Sequence, residues 1–201
     1  MRIAQTNPKA KQTLLDAAED LMLTQGYSAT SVDQICKAAK LTKGSFFHYF
    51  KSKEDLAAAL LNRFCCSSRQ MMQEKCCTKE MDPLNRVYNY IDCAVQMFKD
   101  SRFNKGCLIG TFAQELAETK PKLRSLCAEG FNEWAKLLKK DLKEAKKKYA
   151  PRASFEAESL AEHFIALVEG SQILARAKSN PAILGENMRH FKQYLKQLFG
   201  R

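Results

Sequence analysis

Apolar side chains recur along this chain at three- and four-residue intervals, and polar capping residues interrupt them at regular points. Over residues 9–25, Leu14, Ala18, Leu21 and Met22 form one stripe of an amphipathic helix. Gly26 is placed to end it, since glycine tolerates the left-handed backbone of a helix terminus. Ser31 and Gln34 have the spacing of a capping box, in which the serine accepts a backbone bond and the glutamine reaches back. They open a short helix through Ala38 and Ala39. Thr42 caps a second short helix through Phe50, and Ser52 with Asp55 caps a third start, leading into a long helix from Lys53 to about residue 75.

Beyond a polar bend near 76–81 the pattern repeats. Asp82 followed by Pro83 is a cap with proline at the first helical position, for a helix to about Lys99. Shorter apolar periodicity covers 107–118, Lys120 and Pro121 start a helix reaching Tyr149, and Pro151 interrupts it. A helix over 154–178 follows, and Asn180 with Pro181 opens the last one, ending at Phe199. The prediction is nine helices and no strand, because no segment shows clean two-residue alternation.

Composition narrows the picture. The chain has 201 residues, 45% hydrophobic and 27% charged, with only eight Gly and five Pro, which suits an all-helical protein. Its net charge of +11 fits a polyanionic partner. No apolar run approaches the roughly 20 residues of a membrane span, and the polar N-terminus lacks the apolar core of a signal peptide. A cytoplasmic protein with no membrane partner is expected. Its eight cysteines are then expected to stay reduced. The Cys65–Cys66 and Cys76–Cys77 pairs would lie about 16 Å apart along one helix. Zinc takes sulfur at about 2.3 Å, so no metal and no cofactor is expected.

The segment from Ser31 to Lys53 carries the strongest functional signal. Two short capped helices separated by a tight turn, with a preceding helix to pack on both, make a helix-turn-helix. No acidic residue lies between Asp33 and Glu54, whereas Lys37, Lys40, Lys43, Lys51 and Lys53 supply five positive charges. That pattern suits double-stranded DNA, whose phosphates release counterions when neutralised. Phe46 and Phe50 are four apart and should face the small core, leaving Thr42, Lys43, Ser45, Phe47, His48 and Tyr49 outward. Gly44 costs the helix about 1 kcal/mol of propensity, tolerable where a second backbone must approach.

The run from Thr42 to Phe50 (TKGSFFHYF), with Ser52, Lys53 and Glu54, resembles the recognition-helix signature of the tetracycline-repressor (TetR) family. The run from Thr30 to Ala39 is similar to that family's second helix. The resemblance is specific from about residue 11 to 61. It implies an N-terminal three-helix DNA-binding domain, 1–60, and a six-helix C-terminal ligand-binding and dimerisation domain, 61–201. It further implies a homodimer on a palindromic DNA operator, released by a small-molecule effector. Carried over by position, Lys43, Ser45 and His48 become base-edge or groove contacts, Gly44 leaves room for the duplex, and Ser31, Thr42, Tyr49 and Lys53 become phosphate contacts. Two positions depart from the family pattern. Lys40 stands where a turn glycine is usual, so a left-handed backbone there would cost about 1–2 kcal/mol. Phe47 replaces a phosphate-binding tyrosine, leaving apolar contact such as with a thymine methyl.

Other features admit plainer readings. The second basic run, Lys136 to Arg152, spreads around its helix and reads as a solvated end rather than another DNA site. In the last two helices, Phe164, Leu167, Val168, Ser171 and Leu174 face a heptad-like seam of Leu184, Met188, Phe191, Leu195 and Leu198. Packing within one chain would explain that seam, as would the dimer interface that the family resemblance implies. Met97, Phe98, Cys107, Phe112, Cys127, Phe131, Trp134 and Phe164 could line an effector pocket or could be core. Cys107 follows Gly106 at a helix start beside Lys105, where a thiolate is favoured, so a thiol-based electrophile or redox sensor is the alternative. A basic helical adaptor or membrane-surface protein is more remote. No enzyme is expected, since no nucleophile here has a local histidine and acid partner.

Overall fold

The computed structural model describes residues 8–76, 82–100 and 105–200, and among them every regular element is an α-helix. The order is α1 (Pro8–Gln25), α2 (Val32–Ala39), α3 (Lys43–Tyr49), α4 (Lys53–Cys76), α5 (Pro83–Met97), α6 (Leu108–Leu116), α7 (Pro121–Tyr149), α8 (Ala157–Ala177) and α9 (Ala182–Phe199). The all-α fold, with its N-terminal helix-turn-helix and helical C-terminal part, is therefore as expected. The bend expected near 76–81 falls mostly outside the described residues.

The caps read from sequence are made. Ser31 Oγ accepts from the Gln34 amide at 3.2 Å, and Gln34 Oε1 accepts from the Ser31 amide at 2.7 Å. Thr42 Oγ1 accepts from Ser45 N, Ser52 Oγ from Asp55 N, and Asp82 Oδ1 from Leu84 N. Each satisfies an amide that a helix start leaves without an intrahelical partner. Asn180 Oδ1 accepts from Ala182 N, which starts α9 one residue later than its proline suggests. For α8 the cap is Glu156, with no side-chain bond, and the helix starts at Ala157 rather than near 154.

The chain divides into two compact units. The first holds residues up to Cys66 together with Leu108–Ala128, and the second holds Ser67–Cys107 together with Glu129 onward. In the first unit α1 packs on α2, α3 and α6. Leu14, Ala18, Met22, Ile35, Phe46, Leu56 and Leu60 lose all solvent contact, a small core that supplies most of the drive to hold these short helices. Arg63 on α4 pairs with Asp16 and Glu19 of α1.

In the second unit α9 packs on both α8 and α5. Arg86 of α5 pairs with Asp141 and Glu144 of α7, so the buried Asp141 carboxylate has a counterion. Asp82 also accepts from Lys148 and Tyr149. Lys139 pairs with Glu158, and Lys146 donates to the Phe155 carbonyl, so the second basic run is partly spent on bonds within the unit. Cys93 is disulfide-bonded, against the expectation of reduced thiols. No described helix is long and apolar enough to cross a membrane.

Candidate nucleic-acid interface and sensor region

The recognition helix is built from the turn outward. Lys40 adopts the left-handed conformation, φ 53° and ψ 40°, and its amide donates back to the carbonyls of Cys36 and Lys37. The corner thus keeps the geometry of a glycine turn with a lysine in it, at a cost of about 1–2 kcal/mol. Thr42 then starts α3, and Phe46 and Phe50 turn inward with 0% and 2% of their surfaces exposed. Their rings lie 5.7 Å apart and fix which face of α3 is left out.

That outer face carries most of the expected residues. Ser31, Thr42, Lys43, Gly44, Phe47 and His48 are exposed, while Ser45 and Tyr49 are half-buried. Phe47 leaves 56% of its surface in solvent, unusual for a phenylalanine with no partner chain. Its ring meets Phe46 edge-on at 5.2 Å, and His48 meets Tyr49 at 4.7 Å, so both are oriented from within α3. Lys43 Nζ pairs with Asp33 at 2.7 Å, which raises the lysine pKa through that hydrogen bond and charge. A methyl on Gly44 would meet only Thr42 Oγ1, at an ordinary 3.6 Å. Nothing inside the protein requires glycine there.

Lys53 is placed differently. Its Nζ donates to the carbonyls of Tyr27 at 2.9 Å and Thr30 at 2.8 Å, and it lies 4.1 Å from the Tyr27 ring centroid. Burial pulls its pKa down, with Glu115 opposing. Two of its three N–H donors thus go to protein carbonyls, which gives this ammonium a structural role beside the phosphate contact expected of it.

Sequence reading missed the acid beside that lysine. Glu115, in the last turn of α6, accepts the backbone amides of Tyr27 and Ser28, each at 2.7 Å. Burial pushes this carboxyl up, but the bonds from Ser28 and Tyr27 and the charge of Lys53 prevail and hold it below 4.5. Gly26 makes the approach possible: at φ +86° it is left-handed, and a Cβ there would lie 2.9 Å from Glu115 Oε2.

The eight expected pocket residues are not one group. Phe112 and Cys127 belong to the first unit. Phe112 is fully buried with its ring 5.8 Å from Tyr27, and burial, followed by Cys65, pushes the Cys127 thiol up to about 11. The other six fall in the second unit. There Trp134 is ringed by Phe98, Phe131 and Phe164 with centroids 6.2–6.5 Å away, and Phe164 also meets Tyr90 and Phe191. Met97 is buried. Cys107 is buried too and lies just before α6 rather than within it; its thiol donates to the Glu169 carboxylate.

The α8–α9 seam is used within a single chain. Phe164, Val168, Leu184, Met188, Phe191 and Leu195 are each at least nine-tenths buried without any partner. Ser171 is also buried, donating to the Leu167 carbonyl and accepting from Asn187 Nδ2. Of the expected interface residues only Leu174 is exposed, with 45% of its surface in solvent, and Leu167 and Leu198 are half-buried. Ile173 and Tyr194, which sequence reading passed over, are 50% and 42% exposed. Among the described residues no group of three or more His, Cys, Asp or Glu could hold a metal ion.

A capped, basic helix-turn-helix on a larger helical body defines a DNA-binding transcriptional regulator. Comparisons with known proteins agree. Residues 14–60 match the family model of bacterial regulatory proteins, tetR family, and residues 83–190 match the LmrA/YxaF-like transcriptional regulator C-terminal domain. The transcriptional regulator AcuR of Cereibacter sphaeroides is 28% identical over 92% of this chain and 84% of its own length. The HTH-type transcriptional repressor NemR of Escherichia coli is 25% identical over 94% and 96%. The crystal structure of the regulatory protein TetR from Rhodobacter sphaeroides superposes with a TM-score of 0.80 at 28% identity, covering 92% of this chain and 97% of that one. The chain belongs to the TetR family of transcriptional regulators.

Proposed function

We propose that the protein is a ligand-responsive repressor that binds a palindromic operator as a homodimer and leaves it when a small molecule occupies its C-terminal part. Residues 1–60 carry DNA contact, and 61–201 carry effector binding and dimerisation, in the cytoplasm where the operator lies. The observation that carries the reading is the outer face of α3. It holds Lys43, Ser45, Phe47 and His48 around a glycine that no internal neighbour requires. A helix gives up about 1 kcal/mol for such a glycine, and close approach of a duplex is what would make the loss useful. Lys43 and His48 then read base edges, and Phe47 supplies apolar contact to a thymine methyl. Ser31, Thr42 and Tyr49, with the amides at the helix starts, hold phosphates.

Dimerisation supplies the second recognition helix, about 34 Å from the first for half-sites one turn apart. Ile173, Leu174 and Tyr194, exposed on α8 and α9, support a contact surface there. Selection of bound sites from random duplexes tests the whole reading, with a palindrome of two half-sites as the expected result. No preference for any sequence over competitor duplex at moderate salt would overturn it.

A further inference from the structure

One polar cluster inside the second unit has no role in DNA binding, in α8–α9 packing or in the capping of any helix. On α8, Glu169 and Gln172 are three residues apart and share a face. Glu169 Oε1 and both Gln172 side-chain polar atoms are shut off from solvent with no hydrogen-bond partner. A buried polar atom left so destabilises the fold, and three of them on two residues one helical turn apart need an explanation. The segment they face is 106–107. A methyl on Gly106 would meet Gln172 Oε1 at 3.9 Å and Arg176 Nη1 at 3.5 Å. Gly106 has φ +118°, a conformation that only glycine takes readily, and this allows the backbone to bend past α8. The next residue, Cys107, gives its thiol hydrogen to Glu169.

We propose that Cys107, Glu169 and Gln172 form a capture site for small α,β-unsaturated carbonyl compounds, in which the thiol adds covalently to the conjugated double bond. The parts match the steps. A thiol is a soft nucleophile suited to an electron-poor alkene carbon, and its reactive form is the thiolate. Glu169 accepts the thiol proton as Sγ attacks the β-carbon. A C–S bond forms, the C=C π pair shifts, and the carbonyl oxygen gains the negative charge of an enolate. The unpartnered Gln172 Nε2 is a donor for that oxygen. Glu169 then returns the proton to the α-carbon, so the product is a neutral thioether and no oxidant or leaving group is required. Burial pushes the Glu169 carboxyl up to about 7, which suits a group that takes and gives back a proton.

This activation differs from the one expected of a helix start. A carboxylate beside the sulfur disfavours a standing thiolate, so Cys107 stays a thiol until the electrophile arrives and its proton has somewhere to go. The site deepens the regulator reading, on which it rests, by naming the effector class.

The test treats the full-length protein with methyl vinyl ketone and follows adduct formation at each cysteine by peptide mass. On exposure alone Cys66, which is exposed, should react before the buried Cys107. The expected result is the reverse order, at least tenfold in rate. E169Q and Q172L, checked for native circular dichroism, should each slow Cys107 by tenfold or more and leave Cys66 unchanged. Cys107 reacting no faster than Cys66, or at an unchanged rate in E169Q, would overturn the proposal. Operator binding is scored separately with C107S as the control. If the unmodified protein selects no operator, the regulator reading fails whatever the adduct rates. If operator is selected but Cys107 is inert, only the capture site fails.

Discussion

The Glu115 carboxylate on α6 accepts the Tyr27 backbone amide at 2.7 Å, anchoring the turn that leads from α1 to α2. Its other oxygen takes the Ser28 amide, and Lys53 ties the carbonyls of Tyr27 and Thr30. The recognition helix-turn-helix is thus held by one acid and one base, neither of which has to touch DNA.

Replacing Glu115 with Gln should lower stability by about 1–2 kcal/mol, allowing for partial solvent access. The effect depends on pH with a definite sign. Glu115 sits below its ordinary 4.5 when folded, so its stabilisation is complete above that value and is lost as pH falls through the folded one. Urea midpoints of the two proteins should therefore converge in acid, and a constant gap would refute the assigned role.

Gly44→Ala should raise stability by about 0.5–1 kcal/mol, because only Thr42 Oγ1 lies near the new methyl. It should also weaken operator binding, and melting temperature with operator affinity measured side by side would show both. A variant that is more stable and binds equally well would remove the argument that the duplex needs this space.

Lys43 and Lys53 should separate by salt. Lys43→Ala should cost about 1–3 kcal/mol of sequence discrimination if Lys43 reads a base edge. Lys53→Ala should instead destabilise the fold by about 1–3 kcal/mol, since two buried carbonyls lose a charged donor. The slope of log affinity against log salt should stay as it was; a fall of about one unit would return Lys53 to the phosphates.

Tyr194→Asp and Ile173→Asp should give folded monomers by sedimentation, with operator affinity reduced on the order of a hundredfold because the two half-sites are no longer linked. Leu195→Asp, at a position with no exposure, should unfold the chain instead. A dimer that survives both surface changes would place the interface elsewhere.

Glu169→Gln carries a stability signature independent of any ligand. The folded carboxyl titrates at about 7 against an ordinary 4.5, so ionising it penalises the native state as pH rises between those values. Thermal melts should show the variant gaining on the natural protein across that interval and level with it in acid. No pH-dependent gain would mean that the carboxyl is solvated.

What could be read from sequence was what depends on near neighbours. Ser31 with Gln34, Thr42 with Ser45 and Asp82 with Leu84 are bonds across two or three residues, and their chemistry sits in the local string. The inward turn of Phe46 and Phe50 follows from helical spacing alone. The carbonyl partners of Lys53 were not legible because they lie 23 and 26 residues away, whereas local charge density points only to a phosphate. For Phe112 both pocket and core stay open in the sequence, since periodicity shows that a ring is buried but not which core receives it. Glu115 and Glu169 went unnoticed as ordinary helical acids, although a signal existed. Glu115 follows Leu108 and Phe112 on one buried stripe, and Glu169 with Gln172 continues the stripe of Ile165 and Val168. A polar residue on an apolar stripe marks a tertiary contact or a site.

Lys40 at the left-handed corner has a further consequence. Glycine there would relax the backbone, and the lysine side chain is in solvent, so no contact would be sacrificed. What would go is one positive charge from the rim of the reading head, and with it part of the long-range pull that brings the molecule onto a polyanion before any base is inspected. A lysine at this corner thus adds to how quickly a polyanion is reached rather than to which sequence is held, at a backbone cost of about 1–2 kcal/mol.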